Sequence, residues 1–154
     1  FVAQNLGARK MDRVKKGTTT SILLGLGVTI AVGWIAALIS EPLIRLFSDE
    51  QPVIDYGVQS LRIRCITYFL FVFTDVLAGV IRGSGNAVVP MTISMVNMCF
   101  VRILWLIVAM QFWYDYNVVV FSYPLTWGLA SLCYFIYYKK GNWLKKWKEA
   151  NGVS

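Results

Sequence analysis

Residues 18–40 read TTTSILLGLGVTIAVGWIAALIS, twenty-three positions without one charged side chain. At about 1.5 Å per residue, a helix of that length crosses the roughly 30 Å of hydrocarbon in a bilayer. A backbone in hydrocarbon must satisfy its own polar groups, so the stretch is predicted as a helix. Residues 63–81, 87–110 and 118–138 are similarly long and apolar, with Arg64 and Asp75 in the first and Arg102 in the second as the charged exceptions. Strand-like alternation is missing from all four, which argues against a β-barrel. The predicted fold class is therefore an all-α membrane protein with four transmembrane helices. A helical bundle over residues 1–138 is followed by a basic tail over 139–154.

Composition agrees. Hydrophobic residues make up 57% of the 154 positions and charged residues 15%, against roughly 45–50% and about 25% in soluble domains. A chain this apolar does not stay disordered, and a soluble monomer would expose too much of it. Fifteen basic and eight acidic residues leave a net charge of +7, and their placement is informative. Arg9, Lys10, Arg13, Lys15 and Lys16 precede the first span; Glu41, Asp49, Glu50 and Asp55 follow it. Arg82 sits in the next break, Asp115 in the one after, and five lysines mark the tail. Basic and acidic breaks alternate, so both ends and the Arg82 loop are predicted on the cytoplasmic side of the cell (plasma or inner) membrane, against anionic lipid. Arg62 and Arg64 run against this trend. Basic residues split by apolar spans do not form one face, so no nucleic-acid partner is expected.

The breaks carry detail of their own. Leu43, Ile44, Leu46 and Phe47 after Pro42 predict an interfacial helix ending near Asp49 and Glu50, with a second amphipathic piece through Val53, Ile54, Val58 and Leu61 leading into the next span. Trp143 and Trp147, four apart among Lys145, Lys146 and Lys148, predict a short anchor over residues 142–148 with tryptophan at headgroup level. Gly25, Gly27, Gly33 and Ala37 offer a small-residue face for close helix approach, as do Gly79 and Gly83. Cys65, Cys99 and Cys133 lie singly in apolar runs and are expected to be small buried hydrophobes. The chain opens on Phe1 with neither Met nor signal peptide, so it is expected to be part of a longer one.

Little catalytic chemistry is available. With no His there is no Ser-His or Cys-His pair and no zinc-protease helix. A Walker-type phosphate loop is absent, and Arg82-Gly83-Ser84-Gly85-Asn86 lacks the strand that a dinucleotide fingerprint needs. No enzyme activity, no cofactor and no metal are expected. Ionisable groups in hydrocarbon cost about 2.5–3.5 kcal/mol and usually face a bundle interior or a wet path. Asp75 and Arg102 are the two clear cases. Counted along antiparallel helices they differ in depth by roughly 13 Å, too far for a direct ion pair. Asp75 is the candidate for ion coupling or gating. Arg102, Asn97, Tyr68 and Thr74 are candidates for lining a cavity, with Thr67 and Gln111 as further polar residues. Pro124 is expected to bend the last span.

Several segments resemble one transporter family. Gln4-Asn5-Leu6-Gly7-Ala8, before a basic stretch and a membrane helix, is similar to the Gln-Asn-x-Gly-Ala signature of multidrug and toxic compound extrusion (MATE) transporters. Arg82-Gly83-Ser84-Gly85-Asn86 followed by Pro90-Met91 resembles their Arg-Gly-x-Gly-Asp stretch, with Asn86 in place of the usual Asp. Ser122-Tyr123-Pro124-Leu125-Thr126-Trp127 and Gly141-Asn142-Trp143 look like the last helix and tail. The resemblance implies helices nine to twelve of a twelve-helix protein, the later part of its second six-helix lobe. It also implies an antiporter that exchanges Na⁺ or H⁺ for small amphipathic, often cationic, drug-like compounds by alternating access. The implied partners are membrane lipid and the preceding helices. Two other readings remain: a related lipid-linked oligosaccharide flippase, expected to have a larger and more cationic cavity, and a four-helix membrane scaffold without transport.

Overall fold

In the computed structural model, residues 1–113, 115–141, 143–150 and 152 are described. Asn142, the predicted start of the tail anchor, lies outside them, as do Tyr114, Asn151, Val153 and Ser154. The described residues are helical and contain no strand. In chain order the helices are α1 (Val2–Gly7), α2 (Met11–Leu38), α3 (Ser40–Arg45), α4 (Gln51–Thr67), α5 (Phe69–Gly83), α6 (Val88–Met95), α7 (Arg102–Phe112), α8 (Tyr116–Lys140) and α9 (Trp143–Ala150). A π-helical segment, Val96–Val101, joins α6 to α7 without a break. Three rods are long and apolar enough to cross a bilayer: α2 with 28 residues, Val88–Phe112 with 25, and α8 with 25. The α4–α5 pair supplies a fourth if taken as one span.

Local sequence explains the ends. Asp12 lies in the first turn of α2, where a negative charge favours the helix dipole. Pro52 opens α4, where its missing N–H costs nothing. Asp115 caps α8, its Oδ1 accepting the Asn117 N–H at 2.9 Å, and Lys139 and Lys140 complement the dipole at the other end. Pro124 does not interrupt α8, which runs helical through it.

The expected span over 63–81 falls across two helices that meet at Tyr68 with a 50° bend. No Pro marks the place. Instead the Thr67 hydroxyl donates back to the Ile63 carbonyl at 2.6 Å, and the Phe71 N–H bonds the Tyr68 carbonyl three residues back at 2.9 Å. Hydroxyl back-bonding and a tightened turn are known causes of helix bending. The second amphipathic piece is therefore α4 itself, the first half of this pair.

α8 is the central rod. A third of its most apolar window, 33%, is buried, against 6% in α2. Tyr134 is fully buried and packs with Leu77, Ala78 and Ile81 of α5. Hydroxyl bonds tie α8 to its neighbours: Thr74 to Ser131 at 3.0 Å, Tyr134 to Ser94 at 2.8 Å, and Tyr134 to the Pro90 carbonyl at 2.7 Å. Such bonds average about 0.6 kcal/mol in membranes, so they fix register more than they add stability. Gly33 meets α4 so closely that an added Cβ would stand 2.7 Å from the Cys65 carbonyl oxygen. Gly25 lies against Val72 in the same way, whereas Gly27 touches nothing within 4 Å.

Both chain ends share one end of the bundle. Val2 of α1 rests on Gly83 of α5, while Leu6, Val14 and Trp147 form one buried cluster. This corrects the tail. Trp143 and Trp147 are 4% and 8% exposed and pack on protein rather than offering an open apolar face to lipid. Trp143 stacks on Tyr138 and donates to its carbonyl at 3.0 Å. The physical reason is that α1 and the start of α2 present an apolar surface, Leu6 and Val14, that Trp147 covers, while Tyr138 of α8 takes Trp143. The cysteines also differ from expectation: Cys99 and Cys133 are exposed and Cys65 is half-buried. An apolar side chain on a membrane rod can as well point outward to lipid as inward.

Candidate functional site

The bend at Tyr68 opens a cavity of about 560 Å³ between α2, α4 and α8. Val28, Val32 and Gly33 form its α2 wall; Arg64, Tyr68, Tyr123 and Trp127 face them from α4 and α8. The aromatic rings form a connected group. Tyr68 lies 5.2 Å edge-on from Trp127, Phe71 5.9 Å and Tyr123 5.8 Å from the same indole. Spacing builds this surface: Tyr123 and Trp127 stand four apart on one face of α8, and Tyr68 and Phe71 three apart at the bend. Aromatic pairs in this geometry contribute about 0.5–1.5 kcal/mol beyond their buried area.

Two guanidiniums meet the same ring. The Arg64 Cζ lies 5.1 Å and the Arg102 Cζ 4.3 Å from the Tyr123 centroid. Arg64 also donates to the Ser60 hydroxyl at 2.6 Å and, through Nε, to the Ser60 carbonyl at 3.3 Å. Arg102 donates to the Thr126 hydroxyl at 2.8 Å, while its buried Nε has no hydrogen-bond partner among the described residues. Arg102 directly follows the π-helical segment, whose extra residue per turn shifts the face on which the next residues emerge. The ion pairs among the described residues are Arg45–Glu41 and Lys145–Glu149. Neither cation at Tyr123 has a carboxylate.

The other sequence candidates fall in separate places. Asp75 is exposed and lines a cleft with Thr18, Ser21 and Gly79, with no hydrogen bond or ion pair to it among the described residues. Asn97 is buried and donates to the Ile93 carbonyl one turn back at 2.9 Å. Thr74 is occupied by Ser131. Gln111 is exposed. Of the cavity candidates, Tyr68 is the one that lines the aromatic cavity, with Arg102 behind Tyr123. Arg64, Tyr123 and Trp127 were not foreseen as site residues. Their signal was the four-residue aromatic spacing and a basic residue out of place in charge alternation. Among the described residues, no three His, Cys, Asp or Glu side chains stand together as a metal site would require.

The motif segments meet at the end that holds both termini. Val2 and Ala3 of α1 lie over Gly83, so the stretch from Gln4 to Ala8 sits beside the loop from Arg82 to Asn86. Gly85 has φ +88°, a conformation that suits glycine, and turns the chain from α5 into α6. Asn86 accepts the Val89 N–H at 3.3 Å and donates to the Tyr137 hydroxyl at 3.3 Å. It thus starts α6 and ties it to α8 without needing a charge. Asn5 donates to the Phe1 carbonyl at 2.8 Å; Gln4, Gly7 and Ala8 are exposed. Pro90 is buried, its carbonyl held by Tyr134. A cavity of about 740 Å³ here is lined by both motif segments, Trp143 and Trp147.

Known proteins give the same picture. The family model MatE matches residues 1–108, a stretch that includes both loops. The probable multidrug resistance protein NorM of Thermotoga maritima is 30% identical over 81 residues, which cover 53% of this chain and 18% of that relative. The chain therefore aligns with less than a fifth of that protein's length. With the family model covering more than half of the sequence, the chain belongs to the MatE family.

Proposed function

We infer that this chain is part of a multidrug efflux antiporter of the cell membrane, coupled to Na⁺ or H⁺, that exports amphipathic, often cationic, compounds by alternating access. Its four spans form the later part of a second six-helix lobe, and both ends and the Arg82 loop face the cytoplasm. The observation that carries the reading is the aromatic cavity between α2, α4 and α8. Its volume of about 560 Å³ falls within the roughly 300–1,000 Å³ of drug-sized sites. The clustering of the basic N-terminal segment, the Arg82 loop and the basic tail at one end supports the orientation.

Antiport requires two conformations with different affinities and competition between ion and substrate. The broken α4–α5 pair supplies a place where one wall can change angle without melting a helix. A related oligosaccharide flippase gains some support from the second guanidinium at Tyr123, but a site this small and apolar favours a drug-sized amphiphile. In liposomes holding the full-length polypeptide that contains this chain, ethidium efflux is expected to rise several-fold with an inward Na⁺ or H⁺ gradient. It should fall to the background of empty liposomes when the gradient is collapsed. Ethidium movement indifferent to both gradients contradicts the proposal.

A further inference from the structure

The tail helix α9 is strongly amphipathic, and its hold on the bundle is narrow. Trp143–Ala150 reads WLKKWKEA, two indoles four apart among three lysines and one glutamate. The Trp147 indole packs with Leu6 of α1 and Val14 of α2, both buried, and Trp143 stacks on Tyr138 of α8. Docked in this way, α9 ties the end of α8 to the start of the chain. The seat is incomplete on one side, where both tryptophans border the cavity of about 740 Å³ with Gly7, Gly83 and Asn86. The Lys145–Glu149 ion pair, at 3.9 Å, is internal to α9 and does not fasten it to the bundle. Leu6 and Val14 bracket Arg9, Lys10 and Arg13, all exposed, with Asp12 the one acid among them. The docked helix therefore brings its lysines toward further cations, and like charges repel. α8 ends at Gly141, whose extended backbone breaks the rod and leaves a joint between the two helices.

We propose that α9 is a lipid-sensitive clasp, docked on α1 and α2 beside neutral lipid and swung about Gly141 onto the membrane surface when the adjoining leaflet is anionic. Both places give the indoles an apolar contact. In the bundle it is Leu6, Val14 and Tyr138; in the bilayer it is the headgroup boundary, where tryptophan concentrates. The apolar gains are similar, so charge decides between the two states. An anionic leaflet favours each lysine near its surface by about fivefold in the equilibrium constant. The three lysines of α9 together shift the balance by about a hundredfold, enough to turn about ten parts docked to one released into the reverse. Release uncovers the stretch from Gly83 to Asn86 and unties the end of α8 from α1 and α2. Nothing in this device depends on the compound carried.

The test is the distance between two nitroxide labels, measured by pulsed electron spin resonance. The full-length polypeptide, freed of native cysteines, is held in nanodiscs with labels at Asp12→Cys and Glu149→Cys, which leaves the three lysines of α9 in place. In phosphatidylcholine a short distance is expected to dominate. With phosphatidylglycerol as about half of the lipid, a second population should become the majority. It should be longer by about 10 Å, one helix diameter. Salt at about 1 M should restore the short distance. Leu6→Ala touches the docked state alone and should raise the released-to-docked ratio in phosphatidylcholine by about tenfold or more. The triple variant Lys145→Gln/Lys146→Gln/Lys148→Gln should stay docked in both lipids. Identical distance distributions in the two lipids overturn the proposal, as does lengthening by phosphatidylglycerol in the triple lysine variant. An unchanged distribution in Leu6→Ala also overturns it. Where Leu6→Ala fails to fold, the lipid dependence of the labelled parent and of the triple variant still decides.

Discussion

Asp75 and Arg102 are ionisable residues in apolar runs, and their surroundings separate their roles. Arg102 is held by Thr126 and Tyr123. Asp75 stands in an open cleft beside Thr18 and Ser21 without an ion-pair partner among the described residues. As the proposed ion-coupling group, such a carboxylate would hold a cation. In the full-length polypeptide, Asp75→Asn is expected to lower ion-driven efflux by about tenfold or more while expression stays near normal. Ion-dependent efflux at the parental rate would return Asp75 to a packing role. Both residues could be picked out in the sequence because charge is rare in hydrocarbon. Arg64 stands out only as a base against the charge alternation, and reads as a flanking charge until Tyr123, distant in sequence, is brought beside it. The aromatic cavity is thus a tertiary property, assembled from four-residue spacing on α8 and a bend on another helix.

At the scale of the helix, glycine decides how close α2 and α4 come. A Cβ on Gly33 would lie 2.7 Å from the carbonyl oxygen of Cys65, a backbone atom that cannot swing aside. Overpacking of this kind costs about 1–3 kcal/mol. Gly33→Leu is therefore expected to lower the apparent melting temperature of the detergent-solubilised full-length polypeptide by several degrees, and an unchanged transition contradicts the contact. The small-residue face that includes Gly25 and Gly33 was readable beforehand. The bend was not: Thr67 sits among apolar residues, and only the direction of its hydroxyl shows that it bonds back to Ile63. Nor was the burial of Trp143 and Trp147, because a Trp-Lys helix has the same amphipathic pattern whether its apolar side meets lipid or the surface of α1 and α2.

For the molecule as a whole, hydropathy made the class of fold plain, since apolar rods of this length have few stable alternatives in lipid. It could not say which rod is central. That role falls to α8, whose hydroxyls reach the neighbouring helices, whereas α2 exposes Leu23, Leu24, Val28 and Leu38 over more than half of their surfaces. Such an apolar exterior suits lipid or other apolar helices. The central claim is that four crossings leave both ends of the chain on one side of the membrane and the acidic breaks on the other. With Cys65, Cys99 and Cys133 changed to Ala in the full-length polypeptide, single cysteines at Lys16→Cys, Asp49→Cys, Arg82→Cys, Asp115→Cys and Lys145→Cys test it with a membrane-impermeant maleimide. In intact cells Asp49→Cys and Asp115→Cys are predicted to react, with the other three reacting only after permeabilisation. Labelling of Lys16→Cys, Arg82→Cys or Lys145→Cys from outside, or protection of the two acidic-break positions, would contradict the account.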